Sequence, residues 1–346
     1  MKKLTSTIAV FLISAGMAVA QNNGAPTTQA GTGNESIVSQ TGSGNSSVSD
    51  QDGTDNNVIM NQAGENNLAD INQINFAGFQ REHEAVINQR GSGNEVDSRQ
   101  QGGFQDLLLS QTGEDNYAIT VQISSSNKYD ISQEGDRNSA DVRNHNLRND
   151  DEVTVNQLGD DNSVTVRQRG NGADYSASVR QSGNGNSGSI TQEAGSNNTA
   201  GLWISGDDNT TGQEQVGSGN RQRVEMTGDN NSYSVSQTGE SNTLYINSRG
   251  TGPGGNGSQS NSSEFTAEQI GSGNLVSGSM GGFGNNFSLF QVGDDNLVSG
   301  GAGLWDASGF TIEGDGNSAS ISQMSDGNSA SLNIAGSSNS SVISQD

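Results

Sequence analysis

The sequence of 346 residues contains no cysteine, only two prolines, and aromatic residues at 5% of the chain. The absence of cysteine excludes disulfide bonds, so an exported form of this chain has to be stable without them. Scarce proline suits a chain of hydrogen-bonded strands, because proline lacks the backbone N–H that a strand donates. Apolar residues make up 28%, a composition that by itself is typical of disorder.

Basic residues are also scarce. The 15 lysines and arginines stand against 39 aspartates and glutamates, which gives a formal net charge of −24. So acidic a surface repels the phosphates of nucleic acid, and we expect no nucleic-acid partner.

Long apolar runs are absent except near the N-terminus. Two lysines precede an apolar stretch at residues 8–17, and an A-x-A motif ends at Ala20, just before Gln21. This pattern predicts a secretory signal peptide cleaved between Ala20 and Gln21, and the stretch is too short to span a bilayer. The expected organisation is a signal peptide over 1–20, a short flexible segment over 21–33, a repeat region over 34–346, and no membrane span.

What the chain does contain is a repeat of eleven residues. A glutamine position recurs 26 times, 19 of the 25 intervals are 11 residues long, and the longer intervals indicate insertions. Glutamine fills 19 of these positions: Gln40, Gln51, Gln62, Gln73, Gln89, Gln100, Gln111, Gln122, Gln133, Gln157, Gln168, Gln181, Gln192, Gln215, Gln237, Gln269, Gln291, Gln323 and Gln345. A short fixed period predicts a repeat architecture.

An asparagine stands six residues before most glutamine positions. It fills 20 of the 26: Asn34, Asn45, Asn56, Asn67, Asn94, Asn116, Asn127, Asn138, Asn162, Asn186, Asn198, Asn209, Asn220, Asn231, Asn242, Asn274, Asn285, Asn317, Asn328 and Asn339. Between Asn and Gln, alternate residues are small or apolar, as in Val58 and Met60, so the segment has the period of a strand. A glycine two residues after Gln, such as Gly64, suits a tight reversal with positive φ.

Two strands make one coil. From Gln192 onward the glutamine position alternates between Gln and another residue, beginning with Ile204 and Met226, which indicates two strand classes and a true repeat of about 22 residues. The predicted fold is an all-β solenoid of about 13 two-strand coils, roughly 60 Å long at about 4.8 Å per layer. The two longest intervals are interpreted as enlarged arcs at 251–260 and 300–304.

Stacked coils place identical side chains above one another. Buried Gln and Asn then find partners in the layer above and below, as in cross-β assemblies. A buried amide without partners costs about 1–3 kcal/mol, so an isolated coil is unfavourable. We therefore predict that the Gln and Asn residues form an interior ladder that drives polymerisation, with the coils at 34–51 and 328–345 as the contact ends.

The repeat resembles that of curlin, the subunit of curli fibres. Residues 62–73 match its core of Gln, any residue, Gly, two residues, Asn, one residue, Ala, three residues, Gln, and residues 133–140 match its first part. The resemblance covers residues 34–345. It implies a secreted functional amyloid on the surface of a Gram-negative bacterium, used for adhesion and biofilm matrix, with a curli-type secretion channel and a nucleator as partners. A monomeric secreted solenoid adhesin and a nucleator or accessory subunit stay open as alternatives.

Few other side chains suggest chemistry. The arc sequence GDDN at 159–162, 206–209 and 293–296 offers paired carboxylates for Ca²⁺, but Asp also favours turns, and the nonapeptide of calcium-binding β-rolls is absent. His83 occupies an asparagine position and His145 is expected in an arc. We expect no metal, no cofactor and no catalytic site, since no triad or phosphate loop is present.

The surface side chains with the clearest expectations are arginine and tryptophan. Arg99, Arg143, Arg167 and Arg180 each precede a glutamine position, so they are predicted to point outward and to bridge neighbouring layers. Trp203 and Trp305 are predicted to point outward, where they could form an adhesive surface contact or pack against the enlarged arcs; packing is slightly favoured. Acidic residues are expected to slow assembly until salt screens them.

Overall fold

The computed structural model describes residues 22–75, 82–146, 150–248, 260–298 and 309–346. In these ranges the regular structure is β-strand throughout, and every strand pairing is parallel. The strands form two sheets, which we call sheet A and sheet B. The predicted all-β solenoid is therefore confirmed, and about 13 coils are present.

Sheet A has 14 layers. In order along the stack, its strands are β1 (Thr27–Thr32), β3 (Ser46–Thr54), β5 (Leu68–Asn75), β7 (Glu95–Gly103), β9 (Tyr117–Ser125), β11 (Ser139–Asn146), β13 (Ser163–Gly170), β15 (Ser187–Glu193), β17 (Thr210–Ser218), β19 (Ser232–Glu240), β22 (Glu264–Ser272), β24 (Asn286–Val292), β27 (Ser318–Met324) and β30 (Ser340–Gln345).

Sheet B consists of the intervening strands. They are β2 (Glu35–Ser43), β4 (Asn57–Glu65), β6 (His83–Ser92), β8 (Gln105–Glu114), β10 (Lys128–Glu134), β12 (Glu152–Leu158), β14 (Ser176–Ser182), β16 (Thr199–Ser205), β18 (Arg221–Thr227), β20 (Thr243–Asn247), β21 (Ser260–Asn261), β23 (Leu275–Phe283), β25 (Leu297–Val298), β26 (Phe310–Glu313), β28 (Ser329–Ala330) and β29 (Leu332–Ala335). Two pairs of these, β25 with β26 and β28 with β29, are halves of single layers. Since β21 only extends an arc, sheet B has 13 layers.

The chain crosses from one sheet to the other after each strand and returns one layer further along. Strands therefore pair with the next but one, and identical repeat positions stand opposite each other, as Gln40 does to Gln62 and Gln51 does to Gln73. The predicted two-strand coil is confirmed, and the two strand classes seen after Gln192 are the two sheets.

Alternation along each strand determines which face is buried. In β4 the side chains of Val58, Met60 and Gln62 are buried, whereas Ile59 and Asn61 point outward. Apolar side chains at the inward positions join into one core that runs the length of the stack. Toward the C-terminus this core becomes aromatic, because Phe265, Phe287 and Phe310 stack with ring centroids 4.3–6.0 Å apart.

The arcs turn on two residues with left-handed backbone. The predicted glycine is one of them, with φ of +125° at Gly64 and +123° at Gly113. A second lies two residues later, where Asn66 and Asp115 have φ of 55° and 54°. This second position was not predicted from the sequence, although Gly, Asn and Asp, the residues that tolerate such φ values, fill it in many repeats.

One predicted arc insertion is in fact within a strand. β25 and β26 both pair with β23, so the extra residues between Val298 and Phe310 interrupt a layer of sheet B instead of enlarging an arc. The Gln-to-Ile spacing of 21 residues could not distinguish these two places. The other long insertion does lie between layers, after β20 and before β22, as predicted; residues 249–259 and 299–308 themselves lie outside the described ranges.

The stack also begins earlier than predicted. Within the segment 21–33, expected to be flexible, β1 pairs with β3 and places Gln29 opposite Gln51. Asn23 stands six residues before Gln29 and accepts a hydrogen bond from the backbone of Asn45 at 3.0 Å. Residues 23–29 are thus one more copy of the repeat, missed because no earlier glutamine position sets the period there.

Candidate assembly site: the interior amide columns

Glutamine side chains form one column along each sheet, inside the coil. Each donates its Nε2 hydrogen to the Oε1 atom of the glutamine in the next layer, in 17 bonds of 2.6–3.2 Å between described residues. Backbone carbonyls take the remaining amide hydrogen: Gln111, for example, also donates to the oxygens of Glu95 and Asn116 at 3.1 Å. Within each uninterrupted stretch of a column, a buried glutamine is therefore bonded to the glutamines of the layers on either side.

The two glutamine columns differ in length. In sheet A the column runs from Gln29 to Gln345 and is interrupted only at Asn144, which pairs opposite Gln168. In sheet B it runs from Gln40 to Gln181 and is then replaced, beginning with Ile204 opposite Gln181, by side chains that are all apolar except that of Ser248. The C-terminal half of the interior is therefore amide-lined on one sheet and mostly apolar on the other.

Asparagine side chains form a second pair of columns, one at each edge of the coil. Here the Oδ1 atom accepts the backbone N–H of the asparagine in the next layer, as from Asn67 to Asn45 and from Asn116 to Asn94, both 3.1 Å. The Nδ2 group reaches the carbonyl of the arc glycine in the next layer, such as Asn94 to Gly113 at 2.9 Å. The prediction of amide-to-amide contacts alone was incomplete, because these asparagines also fasten the backbone of the arcs.

Every predicted Gln and Asn of the set lies in one of these columns, and the members in the end layers are partly exposed. Besides Asn23 and Gln29 in the first layer, Asn296 was missed. Asn296 accepts the backbone N–H of Asn328 at 3.0 Å and donates its own to Asn274 at 2.9 Å. The prediction placed the asparagine six residues before Ile312, and the insertion between residues 298 and 310 makes that position wrong. Asn296 instead lies five residues after Gln291, as in the other repeats.

The asparagine column that precedes sheet B is interrupted in the first half of the stack. His83 and Gln105 occupy consecutive layers next to Asn56 and are fully buried. Asn56 Nδ2 and Oδ1, His83 Nδ1 and Gln105 Oε1 have no hydrogen-bond partner among the described residues. Burial lowers the pKa of His83 to about 4, so the ring is neutral at physiological pH.

A further buried group lies deeper in the same column. Asp151 replaces asparagine and accepts hydrogen bonds from Asn144 Nδ2 at 2.6 Å and from the backbone of Tyr175 at 2.8 Å. Burial raises the pKa of Tyr175 to about 12, and the carboxylate of Asp151 adds to the shift.

The acidic arcs have a structural role in the stack. In the GDDN arcs the first aspartate accepts the backbone N–H of the preceding layer, as Asp160 does from Asp136 at 2.9 Å and Asp207 from Asn184 at 2.8 Å. The second aspartate takes the left-handed backbone, with φ of 58° at Asp161. Among the described residues no group of three or more His, Asp or Glu side chains could hold a metal ion.

The prediction that four arginines bridge neighbouring layers is wrong. Arg99 and Arg143 bond to Gln101 and Asp141 of their own strands, at 2.8 and 2.5 Å, and do not bridge layers. In the part of the chain that the structure describes, Arg167 and Arg180 form no ion pair. Long arginine side chains reach the residue two along as easily as the next layer, so the sequence could not choose between them. The bridges between layers are made by Arg137 with Asp161 at 2.7 Å and by Arg169 with Glu193 at 3.6 Å.

The predictions for the two tryptophans and for His145 have different outcomes. Trp203 points outward as predicted, but it packs against the guanidinium of Arg223, which lies 3.8 Å from the ring centroid, and not against an enlarged arc. His145 was expected in an arc and instead lies in β11, opposite Arg169. Trp305 is outside the described residues.

The described residues contain no helix long and apolar enough to cross a membrane. In comparisons with known proteins, the family model described as the curlin associated repeat matches residues 125–170 and 172–202. No curated protein matches the chain.

Proposed function

The repeats make this chain a protein of the curlin family, and we propose that it is the subunit of an extracellular fibre that grows by adding copies to the ends of the coil. The curlin family is structural and non-enzymatic, and it implies cell-surface fibres of Gram-negative bacteria. The proposal includes adhesion and biofilm matrix as the role of the fibre. It also includes secretion after removal of residues 1–20, a curli-type channel for export and a nucleator at the cell surface.

The observation that carries the proposal is that the amide columns reach the end layers. Gln323 donates to Gln345 at 2.8 Å in the last layer of sheet A, and Gln29 donates to Gln51 at 2.6 Å in the first. Strand edges β1 and β2 at one end, and β29 and β30 at the other, have no neighbouring strand in the described chain. Such edges are templates for a further strand.

The test combines Thioflavin T fluorescence and electron microscopy of purified residues 21–346 with X-ray diffraction of aligned material. We expect fibres with a meridional reflection near about 4.8 Å. Deleting residues 23–51 or 328–345 should slow growth by an order of magnitude or more. A chain that stays monomeric over weeks while folded by circular dichroism would instead favour a monomeric adhesin. Acceleration of another curlin at trace amounts, without fibres of its own, would favour a nucleator.

A further inference from the structure

The coil ends in the same sheet in which it begins. β1 and β30 both belong to sheet A, which has 14 layers, whereas sheet B has 13, so the described chain has 27 layers in all. Each full coil contains one layer of each sheet, so a chain with an odd number of layers ends half a coil out of phase with its beginning.

A second copy can be added to the C-terminal end in two orientations. Without rotation, its β1 would pair with β30, and its β2 would then stand two layers from β29, so that one layer of sheet B is missing at the joint. After a half-turn about the coil axis, β1 of the second copy pairs with β29 and β2 pairs with β30. Only the half-turn gives all four strand edges a partner, and unpaired buried backbone groups are costly.

We propose that successive copies of this chain join with a half-turn, so that sheet A of one copy continues as sheet B of the next. The inference rests on the proposed fibre function and adds the geometry of its joint.

The repeat positions on both sides of this joint coincide. Ile334 and Gln345 are 11 residues apart, with Gly336 and Asn339 two and five residues after the first. Gln29 and Gln40 are also 11 apart, with Gly31 and Asn34 at the same offsets. Superposing these positions places Gln40 of the second copy next to Gln345, Asn34 next to Asn339, and Gly31 next to Gly336.

The side-chain bonds of the interior continue across the joint. Gln345 Nε2 would donate to Gln40 Oε1 of the next copy, in the direction that Gln323 donates to Gln345 within the chain. The backbone N–H of Asn34 would donate to Asn339 Oδ1, as Asn339 itself donates to Asn317 at 2.9 Å. Opposite Ile334 the next copy presents Gln29, and the stack already contains such a neighbour pair in Gln181 and Ile204.

The outer face of the joint is also complementary. Val342 in β30 and Ile37 in β2 are among the exposed large apolar side chains, at 76% and 42% exposure, and the half-turn places them opposite each other. Glu35 would stand opposite Ser340, so no like charges oppose each other along the paired strands. Without rotation, Val342 would instead stand opposite Pro26.

Cysteine pairs distinguish the two joints, because the chain has no cysteine of its own. Fibres of Val342→Cys/Ile37→Cys are expected to form disulfide-linked chains of subunits on mild oxidation. Fibres of the matched Val342→Cys/Pro26→Cys variant are expected to remain at least tenfold less linked. The reverse order, equal linking or no linking in either fibre would overturn the half-turn. If the unmodified chain forms no fibres, the proposed function fails, which is a different result.

Two deletions provide an independent test that needs no cysteine. Removing residues 123–133 takes out one layer and makes the number even, whereas removing residues 112–133 takes out two and keeps it odd; both rejoin the chain at Glu134. By cryo-electron microscopy, the shorter deletion should lose the half-turn between copies and the longer one should keep it. If both deletion variants have a half-turn between copies, or if neither has one, the inference is overturned.

Discussion

At the scale of single residues, stability in this molecule depends on amides that are satisfied by the neighbouring layers. Gln111 and Gln181 show the contribution of one such bond, because their other hydrogen bonds are equivalent. Both donate to two backbone carbonyls, at 3.0–3.2 Å, and both accept from the glutamine of the preceding layer at 2.9 Å. They differ toward the next layer, where Gln111 donates to Gln133 whereas Gln181 faces Ile204.

We therefore expect Gln111→Leu to destabilise the fold more than Gln181→Leu. The difference should be about 1 kcal/mol, because the first change also leaves the Oε1 atom of Gln133 without its donor. Urea denaturation of both variants, at concentrations below those that form fibres, measures the difference in the free energy of unfolding. Equal losses would mean that the column bonds contribute nothing beyond the backbone contacts.

His83 should make the fold sensitive to acid. Its pKa is about 4 in the folded chain, below its ordinary value of 6.5, so the unfolded chain binds a proton at a higher pH than the folded chain does. Stability is then full above pH 6.5 and falls as the pH is lowered toward 4, by a total on the order of 3 kcal/mol.

The control for this prediction is His83→Asn, which restores the residue typical of the column. The variant should lose this part of the pH dependence, and at neutral pH it should be more stable by about 1 kcal/mol, since Asn56 regains a partner. Denaturation midpoints from pH 7.5 to 4 compare the two proteins. Parallel pH profiles would show that His83 is not the group responsible.

At the scale of the element, most arcs contain a glycine two residues after the glutamine position, and it is required there for two reasons at once. Gly113 has φ of +123°, and a Cβ atom there would lie 2.1 Å from the carbonyl oxygen of Gly135 in the next layer. Backbone of adjacent layers approaches closely at each such glycine, so the arcs stack as tightly as the strands do.

Gly113→Ala should therefore destabilise the coil by more than about 2 kcal/mol, from left-handed strain together with the backbone clash. Gly201→Ala is the matched control, because the nearest atom to its Cβ is 3.9 Å away and it lies in a strand. We expect the control to be neutral or stabilised by roughly 0.5–1 kcal/mol. Thermal unfolding of both variants by circular dichroism checks this, and similar losses would contradict the stacking of the arcs.

The strands and arcs also show which features of the fold can be predicted from the sequence alone. Strands, the two-strand coil, the inward face and the glycine turns follow from the eleven-residue period and from alternation, which are local signals. Asn296 and the divided layer of β25 and β26 did not follow, because an insertion shifts the count and the sequence does not say on which side of it the strand resumes. The partners of Arg99 and Arg143 were also beyond reach, since a flexible cation has several carboxylates or amides at similar distances.

At the scale of the whole molecule, we expect the negative charge to oppose the association of copies. The formal net charge is −24, and acidic side chains recur on neighbouring layers, as Asp70 and Asp97 do in directly paired positions. Burial raises the pKa of Asp70, and the nearby carboxylates of Asp97 and Asp50 add to the shift, so these groups repel one another at neutral pH.

Fibre growth should therefore accelerate with salt. Between about 10 mM and 150 mM ionic strength the screening length falls from roughly 30 Å to 8 Å, which is enough to weaken repulsion between approaching copies. We expect the elongation rate in seeded Thioflavin T assays to rise several-fold over this range. Asp70→Asn/Asp97→Asn should show a smaller rise, and a rate independent of ionic strength would contradict the role of charge.

The direction of the glutamine bonds has one more consequence. In each of these bonds the Nε2 group points toward the C-terminal end and the Oε1 atom toward the N-terminal end. Aligned amide dipoles add along a column. A filament built from these subunits would carry a permanent electric moment along its axis and would have two chemically different tips, one lined with donors and one with acceptors. Such filaments should orient in an applied electric field and grow at unequal speeds from their two tips.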